Sequence, residues 1–109
     1  LSSSSSEKVA RLKEGAELRV VSERFNNLIR RLEVEALVAH QGMPTPSREE
    51  LVEVLSRLYL KSPELVVVRK IESEYGMGVS RVYAHLYESL DRLKLYEPEY
   101  ILKRHGVGV

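Results

Sequence analysis

The chain has 109 residues, enough for one hydrophobic core and too few for two. An apolar share of 43% argues against global disorder, and the absence of cysteine excludes disulfides and thiolate chemistry. No apolar run approaches the roughly 18 residues of a membrane span, no secretory leader pattern is present, and the cytoplasm is the default compartment. The formal net charge of +1 hides a division, since residues 1–31 carry a net +3 and residues 32–64 a net −3. A near-neutral chain with separated charge can still present a phosphate-binding face.

Residues 1–17 read as a flexible extension. They begin with a serine run and show only weak helical spacing at Val9, Leu12 and Ala16. A single domain is expected over residues 18–109. Leu18 to Phe25 reads as its first strand, and Asn26-Asn27 fits a chain reversal because asparagine tolerates left-handed backbone. Arg31 to Gly42 is the clearest strand: Leu32, Val34, Ala36 and Val38 share one face, Glu33 and Glu35 the other.

Pro44 and Pro46 keep the next segment extended. Ser47 and Glu50 have the spacing of a capping box, and Leu51, Val54, Leu55 and Leu58 then form a helical apolar stripe that ends by Ser62-Pro63. Glu64 to Tyr75 and Val79 to Glu88 read as two strands joined by Gly76-Met77-Gly78, which suits an antiparallel hairpin. Leu90, Leu93 and Leu95 suggest one or two short helices near the C-terminus. The expected architecture is α+β: a four-stranded, mainly antiparallel sheet, one main helix on one face, and short C-terminal helices.

The second strand of the hairpin has two faces. Val82, Ala84 and Leu86 suit a core, while Arg81, Tyr83, His85 and Tyr87 point the other way. Such a row can contact phosphates and stack on bases. It fits cross-strand packing on a half-exposed sheet equally well. Enzymatic chemistry has little to stand on. His40, His85 and His105 lack metal-ligand spacing, no serine sits in a nucleophile elbow, and Gly76-Met77-Gly78 is no phosphate loop because no Gly-Lys-Ser/Thr follows. No cofactor, metal or small-molecule substrate is expected.

Four segments, in this order, are similar to the archaeal form of the small-subunit ribosomal protein 24e family. They are GMPTPSREEL, PELVVVRKIESEYGMGVSR, YAHLYES and EPEYILKRHG. The resemblance covers about Leu18 to Gly106. It implies an α+β structural protein of the small ribosomal subunit that binds ribosomal RNA, neighbours other ribosomal proteins, touches no membrane and has no enzymatic activity. The family's RNA-facing hairpin corresponds to Tyr75, Gly76, Met77, Gly78, Ser80 and Arg81. Its Asn-Pro-Leu-Leu turn corresponds to Asn26-Asn27-Leu28-Ile29 followed by Arg30, with Asn27 where proline is usual. Its basic end corresponds to Lys103, Arg104 and His105. The expected RNA-binding set is Arg30, Arg31, Arg69, Lys70, Tyr75, Gly76, Met77, Gly78, Ser80, Arg81, Tyr83, Lys103 and Arg104. Two other readings fit the same fold: a free-standing RNA-binding regulator, and a protein–protein adaptor using the acidic helix face.

Overall fold

The computed structural model describes residues 8–12, 15–74 and 78–97. Within them the elements run β1 (Val9–Arg11), β2 (Glu17–Asn26), β3 (Arg31–Ala39), α1 (Arg48–Tyr59), a 3-10 turn at Pro63–Leu65, β4 (Val66–Glu74), β5 (Val79–Tyr87) and α2 (Leu90–Tyr96). The strands form one antiparallel sheet in the order β1-β2-β3-β5-β4.

The sheet therefore has five strands among the described residues, where four were expected. The added one is β1, in a stretch whose Val9, Leu12 and Ala16 spacing read as weakly helical. A hairpin satisfies the same spacing. Val9, Ala10 and Arg11 pair with Arg19, Leu18 and Glu17. The Leu12 N–H donates to the Ala16 carbonyl at 2.8 Å, and Leu12 and Ala16 are both buried in the main core. Three residues with one inward side chain carry too little alternation to be recognised as a strand. The expected set of C-terminal helices is α2 within the described residues; residues 98–109 lie outside them.

Alternation builds the core as expected. Val34, Ala36 and Val38 of β3 and Val82, Ala84 and Leu86 of β5 are buried against Leu51, Val54 and Leu55 of α1. Truncating a buried leucine in such a layer costs about 2–5 kcal/mol. The start of α1 is capped as its sequence requires: the Ser47 Oγ accepts the Glu50 N–H at 3.1 Å, and Glu49 and Glu50 face the helix dipole. The helix stops earlier than Ser62-Pro63, because Leu60 adopts left-handed backbone (φ 55°) and the Lys61 N–H closes on the Ser56 carbonyl at 2.9 Å.

The β2–β3 turn also departs from expectation. The left-handed residue is Arg30 (φ 63°), not an asparagine. Asn26 acts through its side chain, whose Oδ1 accepts the N–H groups of Leu28 and Ile29 at 3.1 Å each.

Among the described residues, the other face of the sheet, called the outer face below, is covered at one end. Leu90 and Leu93 of α2 pack with Val67, Tyr87 and Ile29 in a second, smaller apolar cluster. Leu95 does not join them and stays 71% exposed, because two residues past Leu93 lies on the far side of a helix.

Candidate nucleic-acid interface

The expected binding residues belong mainly to the outer face. Odd-numbered residues of β3 and β5 point there, so Glu33 lies opposite His85, Glu35 opposite Tyr83 and Leu37 opposite Arg81. On β4 a bulge between Val68 and Lys70 inserts one residue. Its effect is to put both Arg69 and Lys70 in contact with outer-face groups. A bulge after Val20 on β2 does similar work, and the exposed Arg24 comes to lie opposite Glu33.

At the covered end four side chains converge on one carboxylate. Glu97, the C-cap of α2, has a side chain with no exposed surface. One oxygen accepts from Arg69 at 3.1 Å. The other lies 2.7 Å from the His85 Nδ1, accepts the Tyr87 hydroxyl, and sits 3.7 Å from Arg31. Arg31 also donates to the Tyr87 oxygen at 2.8 Å and to Glu33 at 2.9 Å, and only 14% of its side chain is exposed. Burial pushes the Glu97 carboxyl up, but the hydrogen bonds from His85 and Tyr87 and the nearby charges of His85 and Arg69 outweigh it and hold the group below the usual carboxylate range. Burial, with the bond to Glu97, pushes the Tyr87 phenol up.

At the open end the charges lie in a strip. Arg81 is bound to Glu35 on one side and faces Glu72 directly across the β4–β5 ladder on the other. Lys70 bridges to Glu72 at 2.8 Å and lies 5.9 Å from the centre of the Tyr83 ring. The hydrogen bond between them raises the Lys70 pKa and lowers that of Glu72. Both remain well exposed, so this pair contributes little to folding. At the neighbouring turn, Arg30 stacks over Phe25 and forks onto Glu88 at 3.0 and 3.1 Å.

The structure thus sorts the expected set into three groups. Lys70, Arg81 and Tyr83 come together on the accessible strip, with Gly78 at the tip end of β5 and Arg30 apart on its turn. Arg31 and Arg69 are gathered at the covered end around Glu97. Ser80 is fully buried on the inner face, with its Oγ 2.7 Å from the His40 Nε2 and 3.2 Å from the Ser73 Oγ. Strand alternation allows only one of Ser80 and Arg81 to face outward. Tyr75, Gly76, Met77, Lys103 and Arg104 lie outside the described residues.

Arg24 shares the outer face and was missed, because the β2 bulge that turns it there leaves no periodic trace. Glu97 was missed because it stands just past a short helix, 28 residues from Arg69.

Gly78 has φ +65°, and a Cβ there would meet the Gln41 Cγ at 2.7 Å, so the hairpin's return into β5 requires glycine. Among the described residues no three potential metal ligands gather, and no described helix is long and apolar enough to cross a membrane. The Ser80–His40 pair is not a nucleophile and base open to substrate, because Ser80 has no accessible surface.

The ribosomal protein S24e family matches residues 16–106. Curated relatives named small ribosomal subunit protein eS24 include that of Ignicoccus hospitalis, 42% identical over 82% of this chain and 85% of its own length. The protein of Methanosarcina mazei is 38% identical over 84% of this chain and 89% of its own. That of Saccharolobus islandicus is 42% identical over 72% and 66% respectively. A match over nearly the whole described fold, with relatives at this identity, makes the chain a member of the ribosomal protein S24e family.

Proposed function

We propose that this chain is a structural constituent of the small ribosomal subunit that braces ribosomal RNA with the open end of its outer sheet face. Membership of the S24e family supports the ribosomal role, and the relatives carry that role in their names. Within this role the chain is a structural component and not an enzyme, and it works at the cytoplasmic ribosome.

The observation that carries the RNA reading is the strip of Lys70, Arg81 and Tyr83, left accessible on a sheet whose other face is filled by α1. The cations neutralise phosphates and release counterions, so affinity falls as salt rises. Tyr83 packs on a ribose or base. Gly78, with Tyr75, Gly76 and Met77 of the same hairpin, lets backbone approach the RNA closely. Arg30 on its turn, together with Lys103 and Arg104, adds phosphate contacts. Arg31 and Arg69 serve chiefly to hold Glu97. Recognition is by the shape of folded RNA, since the strip offers no dense array of base-reading groups.

Co-sedimentation of the protein with small ribosomal subunits, at low and high salt and with and without ribonuclease, tests this reading. Stoichiometric migration with the subunit that is lost on ribonuclease treatment is the expected result. Migration as a free protein in every condition would overturn it. Binding that survives ribonuclease would favour a protein partner.

A further inference from the structure

The cations of the proposed RNA strip are not held ready for phosphate. Arg81 is bound to Glu35, and Glu72 faces it across the β4–β5 ladder. Lys70 bridges to the same Glu72 at 2.8 Å. The four charges cancel, so the strip as a whole does not draw in polyanions. An RNA phosphate that approaches either cation meets the carboxylate already paired with it, and must displace that carboxylate or stand beside it. The Lys70–Glu72 pair is exposed and weak, and the half-buried Arg81–Glu35 pair still has solvent on one side, so the exchange is feasible and easiest at Lys70. Phosphate also matches the guanidinium fork as well as carboxylate does. A single stray phosphate gains little, because it trades one anion for another and meets repulsion from the displaced one. A rigid RNA that brings phosphates to both cations together makes both exchanges in one binding event. Repulsive elements of this kind are a general route to discrimination between partners.

We infer that Glu35 and Glu72 are specificity-determining residues of the RNA face: they occupy Arg81 and Lys70 in the free protein and yield only to an RNA whose fold presents phosphates to both. This rests on the RNA-binding reading above.

The test measures affinity, at fixed low salt, for a small-subunit ribosomal RNA transcript and for an unrelated RNA duplex. The proteins compared are the wild type, Glu35→Gln, Glu72→Gln and Glu53→Gln. Glu53 is exposed on α1, which packs on the opposite face, so its replacement changes net charge equally without touching the strip. The expected result is that Glu35→Gln and Glu72→Gln bind the unrelated duplex about three- to fivefold more tightly. Their gain for the ribosomal transcript is smaller, so the preference falls, while Glu53→Gln keeps it. Equal gains in all three variants, or no gain in the two strip variants with circular dichroism unchanged, would overturn the inference. Glu72 is exposed and Glu35 half-buried, so the Glu72 variant remains informative even if Glu35→Gln disturbs the fold. If the wild type binds neither RNA, the RNA-binding reading itself fails, and the inference goes with it.

Discussion

At one end of β5, Tyr87 and His85 gather with Arg31 and Arg69 around the fully buried Glu97 beside α2; at the other, Arg81 and Tyr83 lie beside Glu35, Glu72 and Lys70 with no buried carboxylate between them. The residue types at the two ends are nearly the same: cations, carboxylates and tyrosines in alternating strand positions. Their energetics are opposite. Around Glu97 the shared carboxylate is fully buried, although Arg69 keeps 31% of its side chain exposed, so removing the carboxylate strands several partners at once. On the open strip, water stands in for any partner that leaves, so the pairs contribute little to stability and can be exchanged for a ligand's charges. Cover, not composition, separates a structural charge cluster from a binding one.

The most forceful way to break that contrast is Glu97→Ala. It leaves Arg31, Arg69 and His85 without their shared carboxylate and should cost about 3–5 kcal/mol in urea unfolding. A loss under about 1 kcal/mol would mean that the covered end behaves like the surface. Next in size is Leu93→Ala, which removes the side chain that α2 buries most fully in the small cluster. About 2–4 kcal/mol is expected, together with greater tryptic susceptibility after Lys94.

Acidification probes the same cluster more gently. The folded Glu97 carboxyl titrates below its ordinary value of 4.5, so its contribution is fully present above that pH. It is lost as pH falls below 4.5 through the lowered folded pKa. Glu97→Gln should therefore flatten the fall of stability between about pH 5 and pH 3 relative to the wild type. An unchanged slope would place the acid sensitivity in other carboxylates, such as Glu33, whose pKa is also lowered, because Arg31 outweighs the effect of its burial.

Smallest in stability, though not in binding, is Arg81→Glu on the open strip. It should lower RNA affinity about tenfold at low salt while costing about 1 kcal/mol or less in unfolding, with circular dichroism retained. Unchanged RNA binding would remove Arg81 from the interface. A collapse in stability would erase the distinction between the two ends.

Much of the fold was legible from local pattern. The alternation in β3 and β5 and the Ser47 cap with its helical stripe act between residues close in sequence and stand where their patterns predict; β4 and β5 pair antiparallel as expected, with β4 starting at Val66 rather than Glu64 because Pro63–Leu65 form a 3-10 turn. The family resemblance rested on the same segments. The candidate site was legible only as a list. Lys70, Arg81 and Tyr83 could be named from charge and alternation, but so could Arg31, Arg69 and Ser80, which the fold uses internally.

What the sequence determined by itself was therefore the set of main elements, the inward face of the central strands, the family, and the stock of charged and tyrosine residues from which an RNA face can be made. Only the tertiary structure decided that β1 joins the sheet, that bulges on β2 and β4 redirect Arg24, Arg69 and Lys70, and that, among the described residues, α2 covers one end of the outer face and not the other. The physical reason is range. Periodicity and caps act over a few residues, whereas the burial that turns Glu97 into an anchor joins groups from β3, β4, β5 and α2, and local sequence carries no record of which charges will lose their water.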